Sequence, residues 1–233
     1  MKERSEDILE AAIESFIKFG EPISSSWLYK QYSFGIKPAM IRHELEELTE
    51  EGFLEQPYRS SGRIPSDFGY EFFAEKVLSR NPEIVSNSIL VKYSNWPVIT
   101  GWIANELDTL GVLSQPSERT IYKCGLENLI GGLSWDSPSE IKQIINDFEE
   151  IDNRVKETNK FTENSIHIFI GEKSPVTKSK NLAVVMRTCH SDNGPVIIMA
   201  IGSKRMNYKK AVKTLADIYP RKFSHRKTER IKN

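Results

Sequence analysis

QPYRSSGRIPSDFGYEFF, residues 56–73, sets Arg59, Arg63, three serines, Gly62 and two prolines between short apolar runs and then closes on aromatics. So polar a stretch cannot bury itself, and its Pro, Gly and Ser content marks a turn. Phe53 and Leu54 lead in and Arg63 and Ile64 lead out, so the pattern predicts a small hairpin with residues 56–61 at its tip. Arg59 and Arg63 can pair with phosphate oxygens, Ser60 and Ser61 supply compact hydroxyl donors, and Gly62 would let the backbone approach a duplex closely. The alternative reading of the same loop is a solvated hairpin with scattered charges. Tyr70, Phe72 and Phe73 are expected to pack the hairpin's base onto the preceding helices rather than to stack on bases.

Upstream, Ser5 is the expected cap of a first helix whose Ile8, Leu9, Ala12, Ile13, Phe16 and Ile17 form one apolar stripe, ended by Gly20 and Pro22. Ser24 to Ser26 can cap a short second helix, and Pro38 suits the first position of a third. In that third helix, PAMIRHELEELTEEG from Pro38, Ile41, Leu45 and Leu48 must face the core, which turns Ala39, His43 and Glu46 outward with Arg42 on the flank. Three helices followed by a small hairpin is the winged helix-turn-helix order, with the polar loop as the wing.

The segment FGEPISSSWLYKQYSFGIKPAMIRHELEELTEEGFLEQPYRSSGRIPSDFGY, residues 19–70, resembles the N-terminal region of the HrcA family of bacterial heat-inducible transcription repressors. Members of that family carry a GEP segment, a PATIR-type helix, LEQP, and SAGRIP followed by GY. IYKCGLENLI (121–130), FIGEK (169–173) and IGSKRMNYKKAV (201–212) are similar to its C-terminal segments, with Ser203 and Asn207 in place of a Pro and an Asp. The resemblance implies a GAF-like second domain, a homodimer on an inverted-repeat operator of the CIRCE type upstream of chaperone genes, and relief of repression in heat through chaperonin availability. Family members have a longer middle region than residues 79–120 here, so the chain reads as a compact relative. The family's usual Ser before Pro-Ala is Lys37, which gives up a cap but adds a cation beside the DNA. The candidate DNA contacts are Ser25, Ser26, Lys37, Pro38, Ala39, Met40, Arg42, His43, Glu46, Arg59, Ser60, Ser61, Gly62 and Arg63.

Beyond the hairpin, TGWIANELDTLG predicts a helix with Trp102, Ile103, Leu107 and Leu110 inward, and no strands are evident there to complete a full GAF sheet. A long helix from the Ser137 cap and Pro138 carries Ile141, Ile144, Ile145 and Phe148 on one face. IHIFI, LAVVMRTC and PVIIMAI are strands, the last two joined by a Ser-Asp-Asn-Gly turn, and a helix closes from about Tyr208 to Ile218. The expected fold class is α+β, an N-terminal winged helix-turn-helix domain (1–78) followed by a helical linker or dimerisation region (79–120), a reduced GAF-like α+β domain (121–219) and a basic tail (220–233).

The net charge of zero is unevenly spread, at −6 over residues 1–78, −3 over 79–202 and +9 over 203–233, so bulk charge does not announce a nucleic acid. The four histidines sit in no zinc, triad or metalloprotease spacing, and no P-loop, dinucleotide fingerprint or nucleophile elbow occurs. No enzyme, metal or cofactor is expected. Cys124 and Cys189 read as reduced packing residues, and with no run of about 18 apolar residues the protein is expected in the cytoplasm, away from membranes. Two other readings stay open. One is a winged-helix regulator responding to a small metabolite, and the other is a protein-interaction module with no DNA role.

Overall fold

Ile8, Leu9, Ala12 and Ile13 recur at helical spacing, and in the computed structural model they line the buried side of α1 (Glu3–Phe19). The structure describes residues 1–80, 95–132, 138–157, 165–191 and 194–218. The expected Ser137 cap, the centre of the 191–194 turn and the basic tail 220–233 lie outside the described residues. α1 begins two residues before the expected cap, because Ser5 is buried and donates its hydroxyl to Glu44 at 2.6 Å instead. Gly20, at φ 76°, ends the helix in the left-handed conformation that favours glycine.

α2 (Ser25–Gln31) is capped by Ser24, which accepts from the Trp27 N–H at 3.2 Å. α3 (Pro38–Glu50) buries Ile41, Leu45 and Leu48, as their spacing requires, and leaves Ala39, Met40, Arg42 and His43 exposed. Its inner side also carries Glu44, only 4% exposed. The Ser5 hydroxyl and the Arg4 guanidinium at 2.7 Å hold that carboxyl below its ordinary pKa, against the opposing effect of burial. The start of α1 is thereby tied to α3. β1 (Leu54–Glu55) and β2 (Ile64–Pro65) pair antiparallel as a short ribbon, and α4 (Asp67–Ser79) opens on Ser66, whose hydroxyl accepts from the Gly69 N–H.

α5 (Trp96–Leu107) leads into β3 (Leu110–Gln115) and β4 (Thr120–Cys124). After α6 (Leu126–Gly131) and α7 (Pro138–Glu157) come β5 (Ile166–Ile170), β6 (Leu182–Ser191), β7 (Gly194–Ser203) and α8 (Tyr208–Ala216). The five strands β3 to β7 form one antiparallel sheet in the order β4-β3-β7-β6-β5. β3 corrects the reading of residues 79–120 as helical, and with β4 it adds two strands to the three expected. β3 is buried throughout and lies between two neighbours, so LGVLSQ shows none of the alternation that marks a half-exposed strand. Asp108, at φ 53°, ends α5 and turns Leu110 into the sheet instead of onto the helix face. Trp102, expected inward, is 42% exposed, and so is Ile145 of α7 at 46%. The buried side of α7 keeps Ile144, with Phe148 packed against it, and continues through Ile151 and Val155.

Alternation along β6 sends Leu182, Val184 and Met186 to a core shared with α6 and α7, while Ala183, Val185 and Cys189 join α5, α8 and α4 on the other face. Burial pushes the Cys189 thiol up to about 11, whereas Cys124 is exposed at the end of β4 and is not the packing residue expected. Two buried charges pin the layers. Arg187 of β6, 2% exposed, donates to the carbonyls of Leu215 at 2.6 Å, Ile218 at 3.1 Å and Ala216, at the C-terminal end of α8. Asp147 of α7, 1% exposed, accepts from Arg154 at 2.6 Å and from the backbone N–H groups of Lys178 at 2.9 Å and Ser179 at 2.8 Å.

Tyr70 and Phe73 do more than brace the hairpin. Their rings lie 6.3 and 6.2 Å from that of Tyr208, which joins the N-terminal helices to α8, while Phe72 reaches Phe53 at 5.5 Å. Around this joint Lys173 pairs with Glu71 at 2.6 Å, Lys204 with Asp67 and Lys209 with Glu14. In each pair the acid belongs to residues 1–78 and the cation to the later part of the chain, which gives the acidic balance of the N-terminal segment a structural use. Among the described residues no helix is long and apolar enough to cross a membrane.

Candidate nucleic-acid interface

The polar loop is held in shape by its own side chains. The Gln56 amide donates to the carbonyls of Arg59 at 3.0 Å and Ser61 at 3.1 Å. Ser61 Oγ accepts from the Tyr58 N–H at 3.2 Å and donates to the Tyr58 carbonyl at 2.7 Å. Ser61 is therefore committed to the loop, while Arg59 and Ser60 stand exposed at the tip. A loop ordered beforehand loses less entropy when it meets a partner.

Below the tip, Ile23 and Arg63 exchange backbone hydrogen bonds of 2.8 Å in both directions, latching the ribbon to the α1–α2 turn. A Cβ on Gly62 would stand 2.5 Å from both the carbonyl carbon and the oxygen of Ile23. The missing side chain of Gly62 thus lets the chain approach itself, a structural role beside the clearance for a duplex expected of it. Gly62→Ala is expected to lower the unfolding free energy by about 1–3 kcal/mol through overpacking against backbone. Urea denaturation measures this, and an unchanged midpoint would mean that the latch yields freely. Arg63 is likewise partly structural, since its Nε donates to Thr49 Oγ1 at 2.9 Å, and Thr49 donates to the Leu45 carbonyl at 2.7 Å.

On α3, Arg42 Nε donates to Glu46 at 3.0 Å and His43 Nε2 lies 3.4 Å from Glu47, both at i,i+4 spacing and well exposed. Pro38 opens the helix, and Lys37 before it makes no side-chain cap, as the replacement of the usual Ser requires. Ser25, Arg42, Glu46, Arg59, Ser60, Ser61, Gly62 and Arg63 line one cleft of about 410 Å³, between the start of α2, the outer side of α3 and the loop. Lys37 and Met40 line a separate groove with Tyr29, Tyr32 and Phe34, and Ser26, Pro38, Ala39 and His43 belong to neither. Sequence reasoning missed Ser24 as a lining residue and Gln56 as the loop's organiser. Gln56 opens the quoted stretch, but only its carbonyl partners three and five residues on reveal the role.

Residues 76–212 match the family model described as HrcA protein C terminal domain. The heat-inducible transcription repressor HrcA of Natranaerobius thermophilus is 42% identical over 89 residues, 38% of this chain and 26% of that protein. That of Clostridium acetobutylicum is 36% identical over 131 residues, 55% of this chain and 37% of that protein. The chain thus spans only 26% and 37% of the length of these two relatives. A crystal structure of a hypothetical protein superposes with a TM-score of 0.73 at 14% identity, over 92% of this chain and 94% of that one, which speaks for the fold alone. The family match covers the α4-to-α8 region that carries the sheet, while the loop and α3 lie in the N-terminal segment. With more than half of its 233 residues under that match, the chain belongs to the HrcA family.

Proposed function

We propose that the chain is a DNA-binding transcription repressor of chaperone genes, with residues 1–78 as a winged helix-turn-helix and the later sheet as a GAF-like unit. It acts as a homodimer on an inverted-repeat operator, and chaperonin availability sets its activity, as the family resemblance implies. The observation that carries the DNA reading is the convergence of Arg42, Arg59 and Arg63 around one cleft on an otherwise acidic segment. The C-terminal half of α3 carries Glu46, Glu47, Glu50 and beyond it Glu51, so a polyanion is steered to the helix's first turns and the loop. Two recognition helices would enter successive major grooves while the loops clamp phosphates.

Arg42 is the residue expected to reach a base edge. Its exposed pair with Glu46 is worth only about 0.3–0.5 kcal/mol, so the guanidinium can swing to a base at little cost. Arg42→Ala should weaken binding to DNA from upstream of the chaperone genes by about 1–3 kcal/mol, and to random DNA much less, with the melting temperature nearly unchanged. Gel shifts on both DNAs measure it. Equal losses on the two would demote Arg42 to a phosphate contact, and no shift by the unaltered protein on either would remove the DNA reading.

A further inference from the structure

A second cleft, of about 710 Å³, opens at the joint between the N-terminal helices and α8. Phe19, Trp27 and Tyr32 form one wall. Phe19 and Trp27 meet edge to face at 5.4 Å, and Trp27 and Tyr32 lie 6.3 Å apart and tilted. Phe19 is 51% exposed and Tyr32 36%, so the wall presents aromatic surface to solvent that no core demands. Lys18, at the end of α1, and Arg205, in the turn before α8, line the same cleft.

These two cations differ in their partners from the others at the joint. Lys209 on the rim pairs with Glu14. Lys18 instead lies 5.1 Å from the Phe19 ring centre, and the Arg205 guanidinium 5.8 Å from that of Phe16. Among the described residues, neither Lys18 nor Arg205 has a carboxylate within ion-pair distance. An aromatic wall beside two cations without carboxylate partners matches a flat apolar body that ends in an anion.

We propose that this cleft is a binding site for a planar aromatic carboxylate, with the ring on Phe19, Trp27 and Tyr32 and the carboxylate between Lys18 and Arg205. Because α1 and the turn before α8 each supply a cation, the ligand bridges the N-terminal helices to the sheet and stabilises their docking by linkage. The inference concerns a site separate from the DNA-facing cleft. It is tested without DNA, so its failure leaves the repressor reading untouched.

The test titrates 1-naphthoate into the full chain, followed by ligand-observed NMR and by thermal shift. The expected result is saturable binding at millimolar concentration or below, with a rise in melting temperature. Arg205→Gln and Lys18→Gln should each weaken it about tenfold or more, as the loss of a charge-assisted contact does. Both side chains are exposed, so neither change threatens the fold. Lys142→Gln, exposed on α7, should leave binding unchanged, and the neutral 1-naphthamide should bind at least about tenfold more weakly than the acid. The proposal is overturned by absence of saturable naphthoate binding, by equal binding of the amide, or by affinity that both cleft substitutions leave intact.

Discussion

Arg187→Met is expected to lower the unfolding free energy by about 3 kcal/mol or more, since hydrogen bonds to a charged donor contribute about 1.5–3 kcal/mol and several are lost together. Methionine fills much of the same volume, so the loss reports polar contacts more than a cavity. In the native chain one guanidinium nitrogen is shared among the carbonyls of Leu215, Ala216 and Ile218, at the end of α8 where the helix ladder leaves carbonyls over. Urea unfolding followed by circular dichroism gives the number. A drop below about 1 kcal/mol would mean that solvent reaches those carbonyls and that Arg187 is not what holds α8 to β6.

The second large effect belongs to Asp147. Asp147→Ala should cost about 3–5 kcal/mol, because it leaves the half-buried Arg154 cation uncompensated and strips the N–H groups of Lys178 and Ser179 of their acceptor. The cost should fall in the double variant Asp147→Ala/Arg154→Met, where no orphaned charge remains. Additive losses in that cycle would show that Asp147 works through the loop backbone alone. Either way, operator affinity of the folded fraction should be unchanged, since Asp147 lies on the far face of the sheet from α3.

These two residues also show where reading the sequence runs out. Ile41, Leu45 and Leu48 were legible because a helix face is set by neighbours three and four positions away. Arg187 and Asp147 find their backbone partners at separations of 28 to 32 positions, and no local pattern encodes that. Trp102 and Ile145 were misplaced because periodicity gives the centre of an apolar face better than its edges. Leu110 was misassigned because Asp108 ends α5 in a conformation that its residue type only weakly favours. For the cleft between α3 and the loop, composition and spacing picked out the loop and the first turns of α3. That Lys37 and Met40 fall into a separate groove from Arg42 and Arg59 followed only from the packing.

The buried core around the joint runs unbroken from Ile8 in α1 through Tyr70 and Phe73 to Tyr208 and Ile218. A core with no seam makes the helix that carries Arg42 and the ribbon that carries Arg59 part of the same cooperative folding unit as the sheet. The cleft between α3 and the loop then has no separate melting transition. Warming that loosens α8 from β6 also dismantles the cleft, and it does so over the narrow interval in which a two-state protein unfolds. The midpoint of the chain's own unfolding thereby sets an upper limit to the temperature at which the cleft exists.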